Sequence, residues 1–482
     1  MSLSTMVKGI QDIMRKDAGV DGDAQRINQM VWLIFLKVFD DNEQTFELMQ
    51  DDYQSPIPEP LRWRTWASNP EGITGEAMLD FVNDDLFPSL SDLPPLTPRA
   101  AMVRDIFAES YNYMKNGTLL RQVVNKLNEA DFTTRKDKHV FGDIYEQILK
   151  DLQSAGNAGE FYTPRAVTQF MVDMVNPQPG EVVLDPACGT GGFLTAALEK
   201  VRENAQVTGE TPEDLNQLHI NIRGVEKKQM PFSLCVTNLL LHDVDIPAVK
   251  HDNTLKEGIG DPLEQMIYDV VVTNPPFGGV EEDGIESSFP TQFQTRETAD
   301  LFLAYIMHVL KPGGRAALVL PDGTLFGEGV KTRIKEKLLA ENNLHTIVRL
   351  PNGVFNPYTG IKTNLLFFEK GTPTKEVWYY EHPYPEGYKS YSKTKPMKVA
   401  EFETEKAWWH DRKETPQAWC VSASDIQANG YNLDIKNPHE VEANHGDPAD
   451  LLAHYGEVTQ QVQSTRDTLR SVLEAALAET GN

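Results

Sequence analysis

The sequence predicts an α/β protein: a doubly wound, mostly parallel sheet with a helical N-terminal domain and a C-terminal helical tail. Between about residues 160 and 370, short apolar runs alternate with helical patterns, as is typical of parallel sheets covered by helices. Before about residue 150, apolar residues recur at three- and four-residue spacing, which is helical periodicity. We place the domains at 1–155, 156–385 and 386–482.

Six runs rich in β-branched and aliphatic residues are the predicted strands, and four longer stretches fit between them as helices. The strands are placed at 182–184, 222–225, 270–272, 316–320, 346–348 and 365–368. The helices are placed at 193–203, 229–242, 299–310 and 329–341. Proline-rich segments at 55–60 and 93–98 interrupt the N-terminal helical region.

The C-terminal tail carries apolar or small residues whose spacing alternates between four and three, the pattern of a coiled-coil seam. These residues are Leu451, Tyr455, Val458, Val462, Thr465, Leu469, Val472 and Ala476. The pattern predicts a helix that binds a partner. The alternative is an amphipathic helix that folds onto its own domain.

The net charge of the chain is strongly negative, −26 from 45 basic and 71 acidic residues. This balance opposes binding to a polyanion, because nonspecific DNA affinity comes mainly from Lys and Arg that neutralise phosphates. If DNA is the substrate, a local basic surface or a basic partner must supply that interaction.

The three cysteines, Cys188, Cys235 and Cys420, are widely separated, which indicates a reducing compartment and neither a disulfide framework nor a metal site. The apolar stretch 30–36 is too short to span a bilayer. The N-terminus lacks an apolar signal-peptide core. We therefore expect a cytoplasmic protein with no membrane segment.

The tetrapeptide Asn274-Pro275-Pro276-Phe277 directly follows the apolar run 269–273, so it is expected at the carboxyl end of a buried strand, where open α/β sheets bind ligands. Its two prolines fix φ and remove two backbone donors. The loop would thus present carbonyl oxygens, one amide side chain and an aromatic face to a flat molecule that bears an amine. The alternative is a simple strand-ending turn, in which Asn and Pro are common.

A glycine-rich segment, 185–194, follows the first predicted strand of the α/β region and opens a helix. Its glycines permit a tight turn and close backbone approach to a ligand. The loop alone does not separate nucleotide from S-adenosylmethionine binding. Asp185 suits a ligand ammonium or hydroxyl better than a phosphate, and the absence of Gly-Lys-Ser/Thr excludes a Walker A loop.

Glu226 ends the second predicted strand, the position where an acid accepts hydrogen bonds from ribose hydroxyls. It lies 41 residues after Asp185, which is longer than the typical spacing of about 20 residues. The polar stretch 206–221 accounts for this as an insertion after the first helix. The alternative for Glu226 is a solvated surface residue.

Five blocks occur in the order found in amino-methyltransferases: 159–165, 185–194, 252–254, 274–277 and 362–368. The set resembles the methylase (modification) subunit of type I restriction–modification systems, including the helical N-terminal part with 141–146. The resemblance implies an S-adenosylmethionine-dependent methyltransferase fold. It also implies methyl transfer to the N6 amine of a flipped adenine in double-stranded DNA.

The same resemblance implies residue roles. Asn274 and the Pro275 carbonyl would accept hydrogen bonds from the adenine amine, and Phe277 would stack on the target ring. Asp185 would lie near the methionine end of the cofactor, Glu226 would hold the ribose, and Asp252 and Asn253 would lie near the cofactor adenine. The implied S-adenosylmethionine site comprises Glu160, Phe161, Tyr162, Thr163, Pro164, Arg165, Asp185, Thr190, Gly191, Gly192, Glu226, Asp252 and Asn253.

The implied partners are double-stranded DNA, a specificity subunit that sets the target sequence, and a restriction subunit in the full complex, with two copies of this chain per specificity subunit. The chemistry agrees with the loop: two acceptors outside the ring plane favour a pyramidal amine nitrogen and free its lone pair, without a covalent intermediate. Two alternatives are protein glutamine methylation and a noncatalytic methylase-like scaffold.

Overall fold

The computed structural model describes residues 3–130, 132, 145, 162–209, 221–260, 266–356, 358–392, 394–439 and 448–479. Its backbone divides into two compact units, Met1–Lys436 and Asn437–Asn482. In the described residues, the helices α1 to α16 are Leu3–Met14, Asp23–Met49, Trp63–Trp66, Glu76–Asp80, Phe87–Ser91, Pro98–Phe107, Gly117–Leu127, Arg165–Val175, Gly192–Thr208, Gln229–Leu241, Thr298–Val309, Asp322–Phe326, Val330–Glu341, Glu403–His410, Ala423–Ala428 and Pro448–Glu479.

A π-helix, Phe81–Leu86, joins α4 and α5. Short 3-10 turns are Glu59–Leu61, Thr254–Lys256, Ile285–Ser288, Thr291–Phe293 and Val399–Phe402. The strands β1 to β9 are Val183–Asp185, Ile222–Glu226, Ala248–His251, Tyr268–Thr273, Leu310–Pro321, Asn342–Arg349, Thr363–Lys370, Glu376–Glu381 and Ala418–Ser422.

All nine strands form one sheet in the order β3-β2-β1-β4-β5-β7-β6-β8-β9. Strand pairs are parallel from β3 to β5 and between β6 and β8, whereas β7 runs antiparallel between β5 and β6, and β9 is antiparallel to β8. From β1 the chain proceeds outward to β2 and β3, and then returns to place β4 on the other side of β1. The carboxyl ends of β1 and β4 therefore flank the switch point, where doubly wound sheets bind ligands.

The two faces of the sheet bury different hydrophobic clusters, because side chains alternate along a strand. In β4, Val270 and Val272 belong to one cluster, whereas Val271 belongs to the other. In β7, Leu365 and Leu366 divide in the same way. A sheet that is covered on both faces has only its strand ends available for chemistry.

The N-terminal helices form a third cluster around α2, which is buried over most of its length. Two of these helices have side-chain caps: Thr97 accepts from Ala100 N before α6, and Asn116 accepts from Leu119 N before α7. The cluster also includes Phe232 from α10, the helix that follows β2. The helical region therefore packs against the sheet domain through α10.

The predicted fold class is confirmed. The sequence did not reveal the strands β3, β8 and β9 or the antiparallel direction of β7. All six predicted strands and all four predicted helices are present, with bounds that differ by a few residues. β3 is a short edge strand whose side chains are mostly half-exposed, so it lacks an apolar run. β9 lies beyond residue 385 and nevertheless pairs with β8; the domain boundaries themselves stay predictions.

The second unit contains α16, which confirms that the C-terminal seam is helical. On this helix Leu452, Tyr455, Val462, Leu469 and Val472 are exposed. Within the part of the chain that the structure describes, no helix is both long and apolar enough to cross a membrane.

Candidate active site

A cleft lies at the carboxyl ends of β1, β2 and β4, at the switch point of the sheet. It encloses about 880 Å³, counting the solvent at its mouth, which is within the range of small-molecule sites. Asp185 ends β1, Glu226 ends β2, and Asn274 follows β4 directly, and all three line the cleft.

The glycine loop between β1 and α9 is bent in a way that only glycine adopts easily. Gly191, at the N-cap of α9, has φ +84°, and a Cβ there would lie 2.8 Å from the Cys235 sulfur. Gly189 also has positive φ, 52°. The loop can therefore pack closely on α10 while its amides approach a ligand.

Two thiols lie beneath this loop. The Sγ atoms of Cys188 and Cys235 are 3.8 Å apart, and both residues are buried. Burial raises the pKa of the Cys188 thiol well above its usual range, and the neighbouring Cys235 adds to this. The Cys188 thiol is thus a neutral packing group rather than a nucleophile.

Asp185 is fully buried at the floor of the cleft. Its Oδ1 accepts a hydrogen bond from Ala187 N at 3.1 Å, whereas Oδ2 accepts no well-formed hydrogen bond from the described residues, although the Thr273 hydroxyl lies beside the carboxyl. Burial raises the pKa of Asp185 to about 7, although Thr273 and Ala187 favour the charged form. A buried acceptor without a donor costs about 1–3 kcal/mol, so Oδ2 is suited to a donor from a ligand.

Glu226 organises the turn at the neighbouring strand. Its Oε2 accepts from Gly189 N at 2.9 Å, and its Oε1 accepts from Lys228 N at 2.7 Å. Burial raises the pKa of Glu226, and these backbone donors oppose that effect. Since each carboxylate oxygen can accept two hydrogen bonds, the residue both fixes the glycine loop and keeps capacity for ligand hydroxyls.

The side chain of Asn274 is oriented by a contact with the segment that precedes α8. Its Nδ2 donates to Thr163 Oγ1 at 3.0 Å. Its Oδ1 is buried and accepts no hydrogen bond from a described residue. The amide thus presents an acceptor without a partner at the end of β4.

The rest of the tetrapeptide frames that acceptor. Pro276 lines the cleft with Asn274, whereas Pro275 is buried beneath them. Phe277 is half-buried and packs edge-on against Phe355, with ring centroids 6.1 Å apart. The Phe277 ring is therefore held in place by a neighbour.

Asn253 also lines the cleft, and its side chain is bonded within the protein. Its Oδ1 caps the turn Thr254–Lys256 through Leu255 N at 3.0 Å, and its Nδ2 donates to Glu281 at 3.3 Å. Glu281 also accepts from Lys227 Nζ at 2.6 Å. The amide of Asn253 is thus occupied by the protein. Asp252 lines the cleft and its Oδ1 accepts from Asn253 N at 2.8 Å.

The structure brings most of the predicted site residues to this one cleft. Those that line it are Thr163, Asp185, Thr190, Gly192, Glu226, Asp252, Asn253, Asn274 and Pro276. Gly191 shapes the loop behind it, as described above. Tyr162, Pro164 and Arg165 line a second cavity instead, and Glu160 and Phe161 lie outside the described residues.

Sequence reasoning missed several residues of the cleft. Lys227, Glu281 and Phe302 line it; Lys227 directly follows β2, whereas Glu281 and Phe302 belong to no glycine-rich or strand-ending motif. Glu281 follows Phe277 by four residues, and only its buried contact with Lys227 and Asn253 marks it as part of the site. Phe302 comes from α11, where it is indistinguishable in sequence from the core residues around it.

The described residues contain no group of three or more His, Cys, Asp or Glu side chains that could hold a metal ion.

Comparison with known protein families agrees with this site. A family model described as N-6 DNA methylase matches residues 136–447, and one described as the HsdM N-terminal domain matches residues 3–127. The doubly wound sheet and the cleft at its switch point are thus those of a DNA methyltransferase.

Comparison with individual proteins shows which kind of DNA methyltransferase this chain resembles. The chain is 61% identical to the Type I restriction enzyme EcoEI methylase subunit of Escherichia coli, over 99% of both chains. A modification subunit of a putative type I restriction enzyme from Vibrio vulnificus YJ016 superposes with a TM-score of 0.80 at 42% identity, covering 92% of this chain and 98% of that one. A chain from a structural study of complex assembly in the type I R-M system gives a TM-score of 0.82 at 36% identity, covering 98% of both. The protein belongs to the N-6 DNA methylase family, among the methylase subunits of type I restriction enzymes.

Proposed function

We propose that this chain transfers a methyl group from S-adenosylmethionine to the N6 amine of an adenine flipped out of double-stranded DNA. The observation that carries the proposal is the amide of Asn274. It is fixed on one side by Thr163, and its buried oxygen lacks a donor among the described residues. The exocyclic amine of adenine supplies such a donor.

The cleft suits S-adenosylmethionine by its donors and acceptors. Asp185 Oδ2 is a buried acceptor without a described partner and suits the ammonium of the methionine part. Glu226 suits the ribose hydroxyls, because both of its oxygens face the turn and keep accepting capacity. The cofactor, when bound, supplies a methyl group on a positively charged sulfur.

The residues after β4 would prepare the amine for methylation. Asn274 Oδ1 and the Pro275 carbonyl would accept its two hydrogen bonds and favour a pyramidal nitrogen with an available lone pair. Phe277, held by Phe355, offers a face on which the extrahelical base can stack. This stacking would offset part of the few kcal/mol that base flipping costs.

The cofactor site would be completed by residues of the glycine loop, the segment 160–165 and Asn253. Asn253 acts indirectly in this proposal, because its side chain is bonded to Leu255 and Glu281. Of the segment, Thr163 reaches the cleft. Family membership favours adenine in DNA over the glutamine side chain of a protein as the acceptor.

The target sequence would be set by a separate specificity subunit, with two copies of this chain bound to each, and a restriction subunit would join the full complex. The exposed apolar residues of α16 supply a docking surface for the specificity subunit. The strongly negative charge of the chain agrees with this division of labour, since sequence reading on DNA would be left to a partner.

The test is a methylation assay on duplex DNA with labelled S-adenosylmethionine and the complex of this chain with its cognate specificity subunit. Asn274→Ala is expected to lower the rate about 10²–10³-fold, the usual cost of losing one preorganised polar contact. Asn429→Ala, an exposed position at the end of α15, is the matched control and keeps the wild-type rate. Equal N6-methyladenine from Asn274→Ala and wild type would refute the proposal, and label in protein instead of DNA would favour glutamine methylation.

A further inference from the structure

A short basic segment stands out in this acidic chain. Residues 384–398 contain four lysines, one glutamate and three tyrosines, a net charge of +3 in a protein of net charge −26. Basic and aromatic residues in alternation are typical of nucleic-acid contacts. The segment lies between β8 and α14, and its described residues contribute no strand to the sheet.

The tyrosines hold this segment against the protein. Tyr391 is buried, and its ring contacts those of Tyr384 and Tyr388 at centroid distances of 5.6 and 5.9 Å. The backbone oxygen of Tyr391 accepts from Asn356 Nδ2 at 3.1 Å. Ser392 and Lys395 exchange two backbone hydrogen bonds at 3.0 and 3.1 Å. Lys389, Lys395 and Lys398 are therefore presented from a loop that is bonded to the rest of the protein.

The described lysines of the segment keep their ammonium groups free of ion pairs, although the carboxylate of Glu401 lies beside the segment and accepts from Lys398 N at 2.8 Å. Lys389, Lys395 and Lys398 are exposed, and within the described residues none forms an ion pair. Elsewhere in the chain lysines are often neutralised, for example Lys331 by Asp300 at 2.7 Å and Lys406 by Asp173 at 2.9 Å. These three lysines thus offer positive charge that no carboxylate of the described residues neutralises, while the fourth, Lys393, lies outside the described residues.

The segment also borders the catalytic residues. It forms one wall of the second cavity, about 1180 Å³ counting the solvent at its mouth, together with Tyr162, Pro164 and Arg165. Thr163, which lies between Tyr162 and Pro164 in the sequence, accepts a hydrogen bond from Asn274 Nδ2. Val354 and Asn356 line the same cavity, and Phe355 between them contacts Phe277.

We propose that the segment 384–398 binds phosphate groups of the DNA strand that carries the target adenine, with Lys395 and Lys398 as the principal contacts. The proposal rests on the proposed function, because it assigns the surface that holds DNA beside the catalytic loop. Lys395 lies over the Tyr388 ring at 5.2 Å, which restricts the ammonium while leaving it accessible. The segment supplies locally the positive charge that the chain as a whole lacks.

The test measures binding of duplex DNA to the complex with the specificity subunit over a range of salt concentrations. Lys395→Ala, Lys398→Ala and the double variant are compared with Lys375→Ala. Lys375 is exposed and precedes the amino end of β8, whereas the cleft lies at the carboxyl ends of β1, β2 and β4. Each lysine that contacts a phosphate should reduce the slope of log K against log salt by about 0.9 per bound copy when removed.

The expected result is weaker binding with a shallower salt slope for the segment variants, additive in the double variant, with unchanged S-adenosylmethionine affinity and complex assembly. Salt slopes equal to that of Lys375→Ala would overturn the inference, as would lost assembly with an unchanged slope, since the segment would then contact a protein. Either of these two contrary results is compatible with DNA methylation by the wild-type complex. Failure of the proposed function would instead appear as absence of DNA methylation by the wild type.

Discussion

The pH dependence of cofactor binding should report directly on Asp185. This carboxyl is fully buried, and one of its oxygens has no partner among the described residues. Burial raises its pKa to about 7. If the ionised form accepts the ammonium of S-adenosylmethionine, the cofactor must displace a proton from Asp185 whenever the pH lies below 7.

The magnitude follows from the pKa. A shift from 3.8 to about 7 corresponds to about 4 kcal/mol between the two protonation states. Since Asp185 must ionise to bind, the Kd for S-adenosylmethionine should rise about tenfold for each pH unit below 7. The free energy of unfolding of the unliganded protein changes with pH in the opposite direction to the cofactor affinity. The stabilising contribution of the neutral acid is complete below pH 3.8 and is lost as the pH rises through 7.

Calorimetric titration of the wild type and Asp185→Asn with S-adenosylmethionine between pH 5.5 and 8 measures this effect. The amide variant keeps the shape of the side chain and cannot ionise. Its Kd should therefore lack the pH dependence that is due to Asp185, and its affinity for S-adenosylmethionine at pH 8 should be lower than that of the wild type. The pKa of Glu226 is also raised by burial, and its charge helps to raise the pKa of Asp185. The difference between the two profiles therefore contains the proton of Asp185 and the smaller effect of its removal on Glu226.

A second readout is the free energy of unfolding of the unliganded proteins. The wild type should lose stability relative to Asp185→Asn as the pH rises from 5 to 7. Parallel Kd profiles for the two proteins would refute the assignment of Asp185 to the ammonium, whatever the absolute affinities.

Three further predictions concern neighbouring residues. Thr163→Val removes the hydroxyl bonded to Asn274 and should lower the methylation rate about tenfold, the value of one hydrogen bond, while Thr163→Ser retains it; equal rates would show that the anchor is dispensable. Gly191→Ala introduces a Cβ 2.8 Å from Cys235 Sγ at φ +84° and should lower the free energy of unfolding by about 1–3 kcal/mol, measured by denaturant titration; an unchanged midpoint would contradict the strain. Phe277→Ala should reduce methylation of paired adenine more than of mismatched adenine, because stacking offsets flipping; an equal loss on both duplexes would argue against that role.

The sequence predicted those parts of the fold in which local pattern and tertiary environment agree. β4 is buried on both faces, so its apolar run is continuous, and the loop that follows it is marked by two prolines. β3 and β9 are edge or near-edge strands with polar and aromatic residues, and such strands depend on pairing partners rather than on an apolar run.

The residues of the candidate site also fall into those that local sequence pattern predicts and those that it does not. Asp185, Glu226 and Asn274 were predictable because each ends a recognisable strand. Glu281 and Phe302 were not, because they reach the cleft from a loop and from a helix whose placement depends on the whole fold. The division of segment 162–165 between two cavities was also invisible, since neighbouring residues in an extended segment point in opposite directions.

The hydrogen bond between Thr163 and Asn274 has a consequence for folding order. It joins residues 111 positions apart, and the intervening chain contains β1, β2, β3 and β4. Closing so long a loop is entropically costly and comes late, after local structure has formed. A nascent chain can therefore complete its first helices and strands while its amide acceptor is still unoriented, and catalytic competence is acquired as one of the last events of folding.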